Sequence, residues 1–465
     1  MRGPFENAAF RRLFVGRVIT NVGDSLYFIG AMWLAYSLTG DPFYTGLAGF
    51  LTMVPRAFQF LAGPLVDRWS LRRTLVGTQL AQALIVSTIP LVHLLGALTV
   101  WHVLVIMPLL SALNQLVYPA QSAALPRILD DEDLVAANSA FSVAYQGLDM
   151  VANGVGGVLI GVIGAVALFA IDAVTFGIAA LVFATLSIPA ADGTPDGESG
   201  TPAPGEATAE RERSAPDARE APDEATVPDG GRDAAADGTA PTEERGSYLA
   251  RMREGVDAVR GTFLVPLIGA AVVANFAAGM VLASLPPYAD ALGVPPALSA
   301  IGVAGGYGLL MASFAAGTFL GALGASLIED RPFGRTLVVG FACTGSLWTA
   351  GVLVDWLPAT ALLFALALVP IGVVNVQIAA IVQSAPPNEL VGRVSSLLSS
   401  SVSALFPVGS LAGGVVAGAF GPRIAMAAFG VVACTQAGYV LARRDLRTLP
   451  APAAATLDAD PAGIN

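Results

Sequence analysis

Three ionisable side chains stand inside long apolar stretches of the sequence: Asp24, Arg56 and Asp149. A charged group in the hydrocarbon of a bilayer costs several kcal/mol, so such groups are kept for function or for pairing with one another. A carboxylate in a dry cavity holds its proton more readily, and a nearby arginine has the opposite effect. We therefore expect Asp24 or Asp149 to titrate or to contact a transported molecule, with Arg56 as the countercharge. A structural ion pair that locks two helices together is the alternative.

Uncharged polar side chains in the same apolar stretches form a second group of candidates. They are expected to line a cavity, although hydrogen bonding between helices is an equally good account. These residues are Asn114, Gln115, Gln146, Asn375 and Gln377.

The composition indicates that these groups lie in a membrane. Of the 465 residues, 55% are hydrophobic and only 13% are charged, whereas a soluble domain carries about 25% charged residues. This balance argues against a soluble enzyme, a disulfide-rich secreted protein and a nucleic-acid binder. The two cysteines have no metal-ligand spacing, and the lack of lysine excludes a phosphate-binding loop of the Gly-Lys type. We expect no enzymatic activity, no cofactor and no metal.

Twelve apolar stretches are long enough to cross about 30 Å of hydrocarbon as helices. Because the stretches are continuous rather than alternating, they predict helices and not barrel strands. The sequence therefore predicts an all-α membrane protein with twelve transmembrane helices in two six-helix bundles. The predicted spans are about 13–38, 43–66, 74–95, 100–125, 137–162, 165–188, 264–286, 298–327, 335–356, 358–382, 395–419 and 422–442.

An acidic segment, 189–247, separates the two sets of six. It is rich in Pro, Gly, Ala, Asp and Glu and has no apolar periodicity, so we expect a disordered linker. The predicted domains are an N-terminal bundle over 1–188 and a C-terminal bundle over 248–447, which begins with an interfacial helix. A disordered tail is predicted over 448–465.

The arginines predict the topology. Cytoplasmic loops of membrane proteins carry an excess of positive charge, and arginines flank the predicted spans at alternate connections. Both termini and the acidic linker are therefore expected on the cytoplasmic side of a multi-pass protein in the cell membrane. The opposite connections hold Asp41, Asp290 and Asp355, with Arg423 as their only arginine.

The two halves repeat each other. Residues 67–76 read Asp-Arg-Trp-Ser-Leu-Arg-Arg-Thr-Leu-Val after span two, and residues 330–338 read Asp-Arg-Pro-Phe-Gly-Arg-Thr-Leu-Val after span eight. A shorter echo joins 133–136 after span four to 389–392 after span ten. Two echoes in register indicate duplication and pseudo-symmetric halves.

The loop after span two resembles the signature of the major facilitator superfamily, Gly-x-x-x-Asp-Arg-x-Gly-Arg-Arg, with Ser70 where glycine is common. The resemblance implies a secondary transporter that works by alternating access, in which this loop and its degenerate copy latch the halves together in one state. Charge that only sets the topology is the alternative. The residues concerned are Gly63, Asp67, Arg68, Arg72, Arg73, Asp330, Arg331 and Arg335.

A looser resemblance points to a branch of exporters that includes enterobactin-exporter-like and macrolide-efflux-like proteins. The resembling pieces are 10–14, 21–24, 125–126 with 137–139, and 391–394. The resemblance implies export of a small drug-like or siderophore-like molecule by a monomer coupled to a proton or sodium gradient. Helix five keeps only the last two glycines of the antiporter motif Gly-Pro-x-x-Gly-Gly, and this departure weakens the case for export by antiport. Uptake by symport and a non-transporting receptor that acts through the acidic linker are the alternatives.

Three further expectations concern packing. Arg17 is expected to extend its side chain to the inner membrane interface. Asp172, placed near the outer end of span six, is expected to cap or pair there. Glycines at matched spacing in spans five and eleven are expected to let helices approach closely; they are Gly154, Gly156, Gly157, Gly161, Gly409, Gly413, Gly414 and Gly418.

Overall fold

The computed structural model describes residues 3–56, 69–188, 261–386 and 388–454. The predicted linker 189–247 and residues 57–68, which include Gly63, Asp67 and Arg68, lie outside the described residues. Asp149 and Gln146 lie on a described helix, but their side chains are not described.

The described residues fold into twelve helices of 12 residues or more, in the order that the sequence predicts. Within these residues, nine helical segments are long and apolar enough to span a membrane: α1, α3, α4, α6, α7, α8 with its flanking turns, α9, α10 and α12. The helices are α1 Ala8–Thr39, α2 Pro42–Met53, α3 Leu71–Leu94, α4 Val100–Ile128, α5 Asp131–Ile163, α6 Ala165–Ala184, α7 Leu264–Leu292, α8 Gly302–Gly324, α9 Phe333–Leu353, α10 Leu357–Ser384, α11 Asn388–Phe420 and α12 Pro422–Ala442.

The helix ends follow from local sequence. Asn7 caps α1 by accepting from the backbone N–H groups of residues 9 and 10, and Asp41 caps α2 in the same way. A single glycine separates α5 from α6 and α11 from α12, and both glycines have positive φ, 81° at Gly164 and 91° at Gly421. Because L side chains rarely adopt this conformation, glycine permits these tight reversals.

The same helix pairs pack in both halves. Contacts between α1 and α6, α3 and α6, and α3 and α4 recur as contacts between α7 and α12, α9 and α12, and α9 and α10. The pairing of α1 with α5 likewise recurs as that of α7 with α11. The pseudo-symmetry predicted from the sequence echoes is therefore present in the packing.

The two ends of the helix bundle differ in chemistry. We call the end that carries the α1–α2 turn the Asp41 end; it also holds Asp290 and the Asp355–Arg423 ion pair. We call the opposite end the arginine-rich end; it carries Arg11, Arg12, Arg72, Arg73, Arg127, Arg331, Arg335, Arg443, Arg444 and Arg447.

The two halves contact each other toward the Asp41 end. The Tyr36 hydroxyl donates to Asp290 Oδ2 at 2.7 Å, and the Trp33 ring stacks on Tyr307 with centroids 5.2 Å apart. The apolar cluster that joins both halves includes Ile29 and Tyr307. Two further clusters toward the arginine-rich end are each confined to one half. The bundle is therefore closed at the Asp41 end.

Glycines permit close helix contacts across the halves. A Cβ placed on Gly157 of α5 would lie 2.7 Å from the carbonyl oxygen of Gly308 in α8, and one on Gly161 would lie 2.5 Å from the Gly305 Cα. At the pseudo-equivalent contact of α2 with α11, a Cβ on Gly414 would lie 2.9 Å from the Gly46 Cα. These contacts confirm the predicted close approach for Gly157, Gly161 and Gly414. Gly409 and Gly413 approach α7 within the second half instead.

The end of the described chain is ordered further than expected. A disordered tail was predicted from residue 448, but residues 448–454 pack at the arginine-rich end, where the Phe333 N–H donates to the Pro450 carbonyl at 3.0 Å. The Gly334 N–H donates to the carbonyl of Leu449 at 3.3 Å. The segment thereby satisfies the otherwise unpaired N–H groups at the start of α9.

Candidate functional site

Asp24 lies midway along α1 and is held by a second predicted residue. The Asn114 side chain on α4 donates from Nδ2 to Asp24 Oδ2 at 2.9 Å. A hydrogen bond to an ionised carboxylate favours the charged form of that carboxylate. The structure thus brings Asp24 and Asn114 together in the middle of the first bundle.

Asp172 differs most from expectation. Its side chain is 0% exposed, and its carboxylate lies against the backbone of α1 at Gly23. A Cβ at that position would overlap the Asp172 carboxylate oxygen, so only glycine permits this packing. Oδ1 accepts from the Thr175 hydroxyl at 3.3 Å, while Oδ2 is buried with no hydrogen-bond partner among the described residues.

The expectation for Asp172 was wrong because it judged depth from the end of the span. The residue lies seven positions after the start of α6, about 10 Å along the helix axis at about 1.5 Å per residue. That depth is readable from the sequence, whereas the pairing with Gly23 is not.

Arg17 also differs from expectation, because it turns inward rather than toward the interface. It is 6% exposed; its Nε donates to Gln121 Oε1 at 2.7 Å and to the Tyr145 hydroxyl at 3.0 Å. Its Nη1 donates to the Thr20 hydroxyl at 3.2 Å. Polar groups of α4 and α5 meet the guanidinium inside the bundle, so the side chain does not need to reach water.

Arg56 lies in the short turn after α2 and is exposed. It is close enough to Tyr27 of α1 to interact with it electrostatically, as are both Asp24 and Asp172. Arg56 thus shares a neighbour, Tyr27, with Asp24 and Asp172, which we call the carboxylate pair. Gln115, by contrast, donates to the Ser111 carbonyl of its own helix at 3.0 Å.

A cavity of about 860 Å³ occupies the second half. No acidic or basic side chain is among the described residues that line it, and most of the lining is aliphatic or aromatic. The lining residues are Phe28, Leu267, Ala270, Ala271, Ala274, Asn275, Ala278, Val281, Leu282, Met311, Phe314, Ala315, Thr318, Leu337, Phe341, Trp348, Leu368, Ile371, Val374, Asn375, Ile378, Phe406, Phe429, Val440 and Leu446.

Two carboxamides give the cavity its polar character. Asn275 on α7 donates to the Ala271 carbonyl at 3.0 Å, which leaves its oxygen available to accept. Asn375 on α10 is exposed and lines the same cavity. Gln377, predicted alongside Asn375, is 3% exposed and donates to the Ile328 carbonyl at 3.3 Å. The aromatic lining was missed because aromatic residues in apolar spans are indistinguishable from core residues by sequence.

The cavity extends toward the arginine-rich end and touches the first half through α1. Its lining runs from Val281 in α7 to Val440 and Leu446 at the arginine-rich end. Phe28, the one first-half residue among the described lining, stands one helical turn from Asp24. The carboxylate pair and the cavity are thus joined by a single turn of α1.

The predicted gating residues lie at the arginine-rich end where they are described. Arg72 donates to the Ala184 carbonyl and Arg12 to the Thr185 carbonyl at 2.6 Å, so both cations cap the C-terminus of α6. Arg73 borders a second cavity of about 410 Å³. In the second copy of the loop, Asp330, Arg331 and Arg335 are exposed at the surface.

Metal ligation finds no support in the described part of the chain. Within it, no group of three or more His, Cys, Asp or Glu side chains is placed to hold a metal ion. Cys343 and Cys434 are both free and exposed.

Known structures share this architecture. The nucleoside transporter NupG aligns over 94% of this chain and 98% of its own, with a TM-score of 0.63 and 11% identity. A mutant of the peptide transporter POT in complex with alafosfalin aligns over 96% and 97%, with a TM-score of 0.63 and 13% identity. A bacterial homolog to the human lysosomal transporter Spinster, inward-facing and occupied, aligns over 97% and 98%, with a TM-score of 0.62 and 14% identity. At these identities the likeness concerns the fold.

Sequence comparison identifies the family. The uncharacterized MFS-type transporter YvqJ of Bacillus subtilis (strain 168) is 28% identical over 138 residues, 30% of this chain and 33% of that protein. The match therefore spans about a third of the relative's length. A model of the Major Facilitator Superfamily matches residues 13–401, most of the chain. The protein belongs to this superfamily and is a membrane transporter of its type.

Proposed function

We propose that the protein is a secondary active exporter that carries a small, neutral and largely apolar molecule across the cell membrane by alternating access. The observation that carries the proposal is the cavity of about 860 Å³, whose described lining is aromatic and aliphatic with no charged side chain. A site of this composition binds a molecule by burying apolar surface and uses few polar groups to orient it. Asn275 and Asn375 supply those groups.

The orientation proposed from the arginines assigns a direction to the open end. If the arginine-rich end faces the cytoplasm, both termini are cytoplasmic, and the cavity reaches toward the cytoplasm while the Asp41 end is closed. An exporter loads its substrate in this state. The looser resemblance to exporters supports the same direction.

The proposed working parts are the two bundles, 1–188 and 248–447. They rock against each other around the cavity, with the arginine clusters after α2 and α8 latching the arginine-rich end when the Asp41 end opens. The acidic segment 189–247 acts as a tether between them, and the protein acts as a monomer. An ion gradient supplies the energy, with Asp24 and its neighbours as the coupling groups.

A drug-like substrate agrees with the cavity better than a siderophore-like one. Metal-chelating groups such as catecholates and hydroxamates are strongly polar, and burying a polar group without a partner costs free energy. The same reasoning separates this cavity from one that would hold a zwitterionic peptide, whose charged termini need charged or strongly polar partners.

The test is extrusion of dyes of different charge from an efflux-deficient bacterial host that makes the protein. We expect energy-dependent extrusion of the neutral dye Nile red, and no extrusion of the cationic dye ethidium or the anionic dye calcein. Asn375→Asp places a carboxylate in the apolar cavity and should slow Nile red extrusion about tenfold or more, because a bound apolar molecule would remove water from an unpaired charge.

Gln383→Glu is the matched control, since it adds a carboxylate to the same helix at an exposed position outside the cavity lining. It should leave extrusion within about twofold of wild type. Accumulation of Nile red instead of extrusion would replace export by uptake. Extrusion of the charged dyes at an equal rate, or equal effects of the two substitutions, would contradict the proposed substrate class.

A further inference from the structure

We propose that Arg17, Gln121 and Tyr145 form a binding site for a small monovalent inorganic anion, such as chloride, inside the first bundle. The proposal goes beyond the proposed function, because these residues are not among the described lining of the apolar cavity. It starts from a buried positive charge that meets no negative charge among the described side chains.

The Arg17 guanidinium carries a full positive charge in a place that water hardly reaches. Its side chain is 6% exposed and lies nine residues after the start of α1, about 14 Å along the helix axis. Arginine does not lose its proton in proteins, so it cannot become neutral on burial. A buried ion costs several kcal/mol unless an opposite charge compensates it. The site therefore requires a negative charge close to the guanidinium.

The described carboxylates do not supply that charge. Within the described ranges, no acidic oxygen lies within ion-pair distance of Arg17. Asp24, the next acid along α1, stands seven residues further on, about 10 Å along the helix axis. The side chains of α4 and α5 that meet the guanidinium are the uncharged Gln121 and Tyr145. The side chain of Asp149, one turn beyond Tyr145, is not described, and the experiment therefore includes a variant of it.

The hydrogen bonds around Arg17 leave several N–H groups over. Its Nε donates to Gln121 Oε1 at 2.7 Å and to the Tyr145 hydroxyl at 3.0 Å, and its Nη1 donates to the Thr20 hydroxyl at 3.2 Å. Both N–H groups of Arg17 Nη2, one of Nη1 and both of Gln121 Nε2 find no acceptor in the described part of the chain. An excess of N–H groups beside a positive charge suits an anion, which accepts hydrogen bonds from several donors at once.

Three helices hold these donors in place. Arg17 lies on α1, Gln121 on α4 and Tyr145 on α5, and the guanidinium carbon lies 5.4 Å from the centre of the Tyr145 ring, as in a cation–π contact. Gln121 Oε1 accepts from both Arg17 and the Tyr145 hydroxyl. The carboxamide cannot exchange its oxygen and nitrogen without losing both hydrogen bonds, so Nε2 is presented as a donor beside the guanidinium.

Charge and space select the class of anion. One guanidinium compensates one negative charge, whereas a divalent anion such as sulfate would leave a net charge in the interior of the bundle. Arg17 and Gln121 are 6% and 3% exposed, so a bulky organic anion such as gluconate cannot reach them. Compact monovalent anions meet both limits, and chloride serves as the probe.

The direct test is equilibrium dialysis of the purified full chain in detergent micelles against radioactive chloride, in sodium gluconate of constant ionic strength. Wild type should bind chloride saturably, and Arg17→Gln, which removes the charge, should bind none. Gln121→Leu keeps the charge but removes two N–H donors, so it should weaken binding about tenfold or more. Arg127→Met is the matched control, since it removes an exposed arginine from α4, and it should bind chloride like wild type.

A wild type that binds no chloride, or equal binding by wild type and Arg17→Gln, would overturn the proposal. Binding that is seen only in Asp149→Asn would overturn it as well, because Asp149 would then be the countercharge of Arg17 in the native chain.

Thermal unfolding in the same solutions provides a second measurement if Arg17→Gln folds poorly. A ligand that binds the folded chain raises the unfolding temperature, so chloride should raise that of wild type and of Arg127→Met. Gln121→Leu should require about tenfold more chloride for the same rise. An unfolding temperature of wild type that does not respond to chloride, or an equal response of wild type and Gln121→Leu, would contradict the anion site.

Discussion

At the scale of single residues, hydropathy and charge identify which side chains matter but not what they touch. Asp24 stands out because an acid in an apolar run is rare, and its hydrogen bond to Asn114 joins two residues that the sequence singled out separately. Asp172 belongs to the same class, and its position seven residues after the start of span six is readable from the sequence, but its burial against α1 is not. The partner that makes it special is Gly23, a residue without a side chain.

Arg17 yields a prediction at this scale. Its hydrogen bonds to Gln121 and Tyr145 tie α1 to α4 and α5 inside the bundle, and hydrogen bonds to charged groups each contribute about 1.5–3 kcal/mol. Arg17→Met should lower the free energy of unfolding, measured by denaturing-detergent titration in mixed micelles, by about 2 kcal/mol or more. Arg127→Met removes an exposed arginine from α4, one of the helices that Arg17 holds together, and should cost about 0.5 kcal/mol or less. Equal losses for the two variants would contradict a structural role for the buried guanidinium.

At the scale of helices, the sequence predicts close approach but not the partner. Matched glycines in α5 and α11 indicate tight packing, and the structure pairs those of α5 with Gly305 and Gly308 of α8. In α11, Gly414 packs against Gly46 of the other half, whereas Gly409 and Gly413 lie on the helix face toward α7. The spacing of glycines in one helix does not identify the helix against which it packs. The partner can be identified only from the three-dimensional structure.

The contact of α5 with α8 yields a prediction at this scale. A Cβ at Gly308 would overlap the carbonyl oxygen of Gly157, so Gly308→Ala should push the two helices apart and open the Asp41 end. In a background of Cys343→Ser and Cys434→Ser, Ala278→Cys provides a thiol in the cavity lining. Its labelling by a membrane-impermeant maleimide from outside intact cells should accelerate about tenfold, as expected if closure loses about 1.4 kcal/mol.

The control for that experiment is Gly438→Ala in α12. A Cβ at Gly438 has no heavy atom within 4 Å, so the substitution should leave the labelling rate unchanged. Unchanged labelling in Gly308→Ala as well would contradict the assignment of this contact to closure of the Asp41 end.

At the scale of the whole molecule, the two halves share a fold but differ in the polarity of their interiors. The first half buries Asp172 and Arg17 and half-buries Asp24 beside Asn114, whereas the second half encloses an apolar cavity without a charged lining residue among those described. The duplicated loops and the shared helix pairing were predictable from sequence echoes. The cavity was not, because its walls come from helices distant in sequence and its residues are of the kind that fill any core.

Which end of the bundle is closed was also not predictable from the sequence. The hydrogen bond from Tyr36 to Asp290 and the stacking of Trp33 on Tyr307 close one end, and the proposed alternating access requires the same residues to separate in a second state. The same sequence must be compatible with both states of the proposed cycle, and hydropathy does not indicate which of them the molecule adopts.

The most direct test of alternating access measures both ends of one molecule by electron–electron double resonance in lipid nanodiscs. In the background without native cysteines, one spin-labelled pair replaces the exposed Phe43 and Phe420 at the Asp41 end. The other pair replaces the exposed Trp69 and Leu327 at the arginine-rich end. Between ligand-free and Nile red-saturated protein, at acidic and at alkaline pH, we expect the first distance to lengthen whenever the second shortens. Distances that move in the same direction, or that remain fixed under all four conditions, would contradict alternating access.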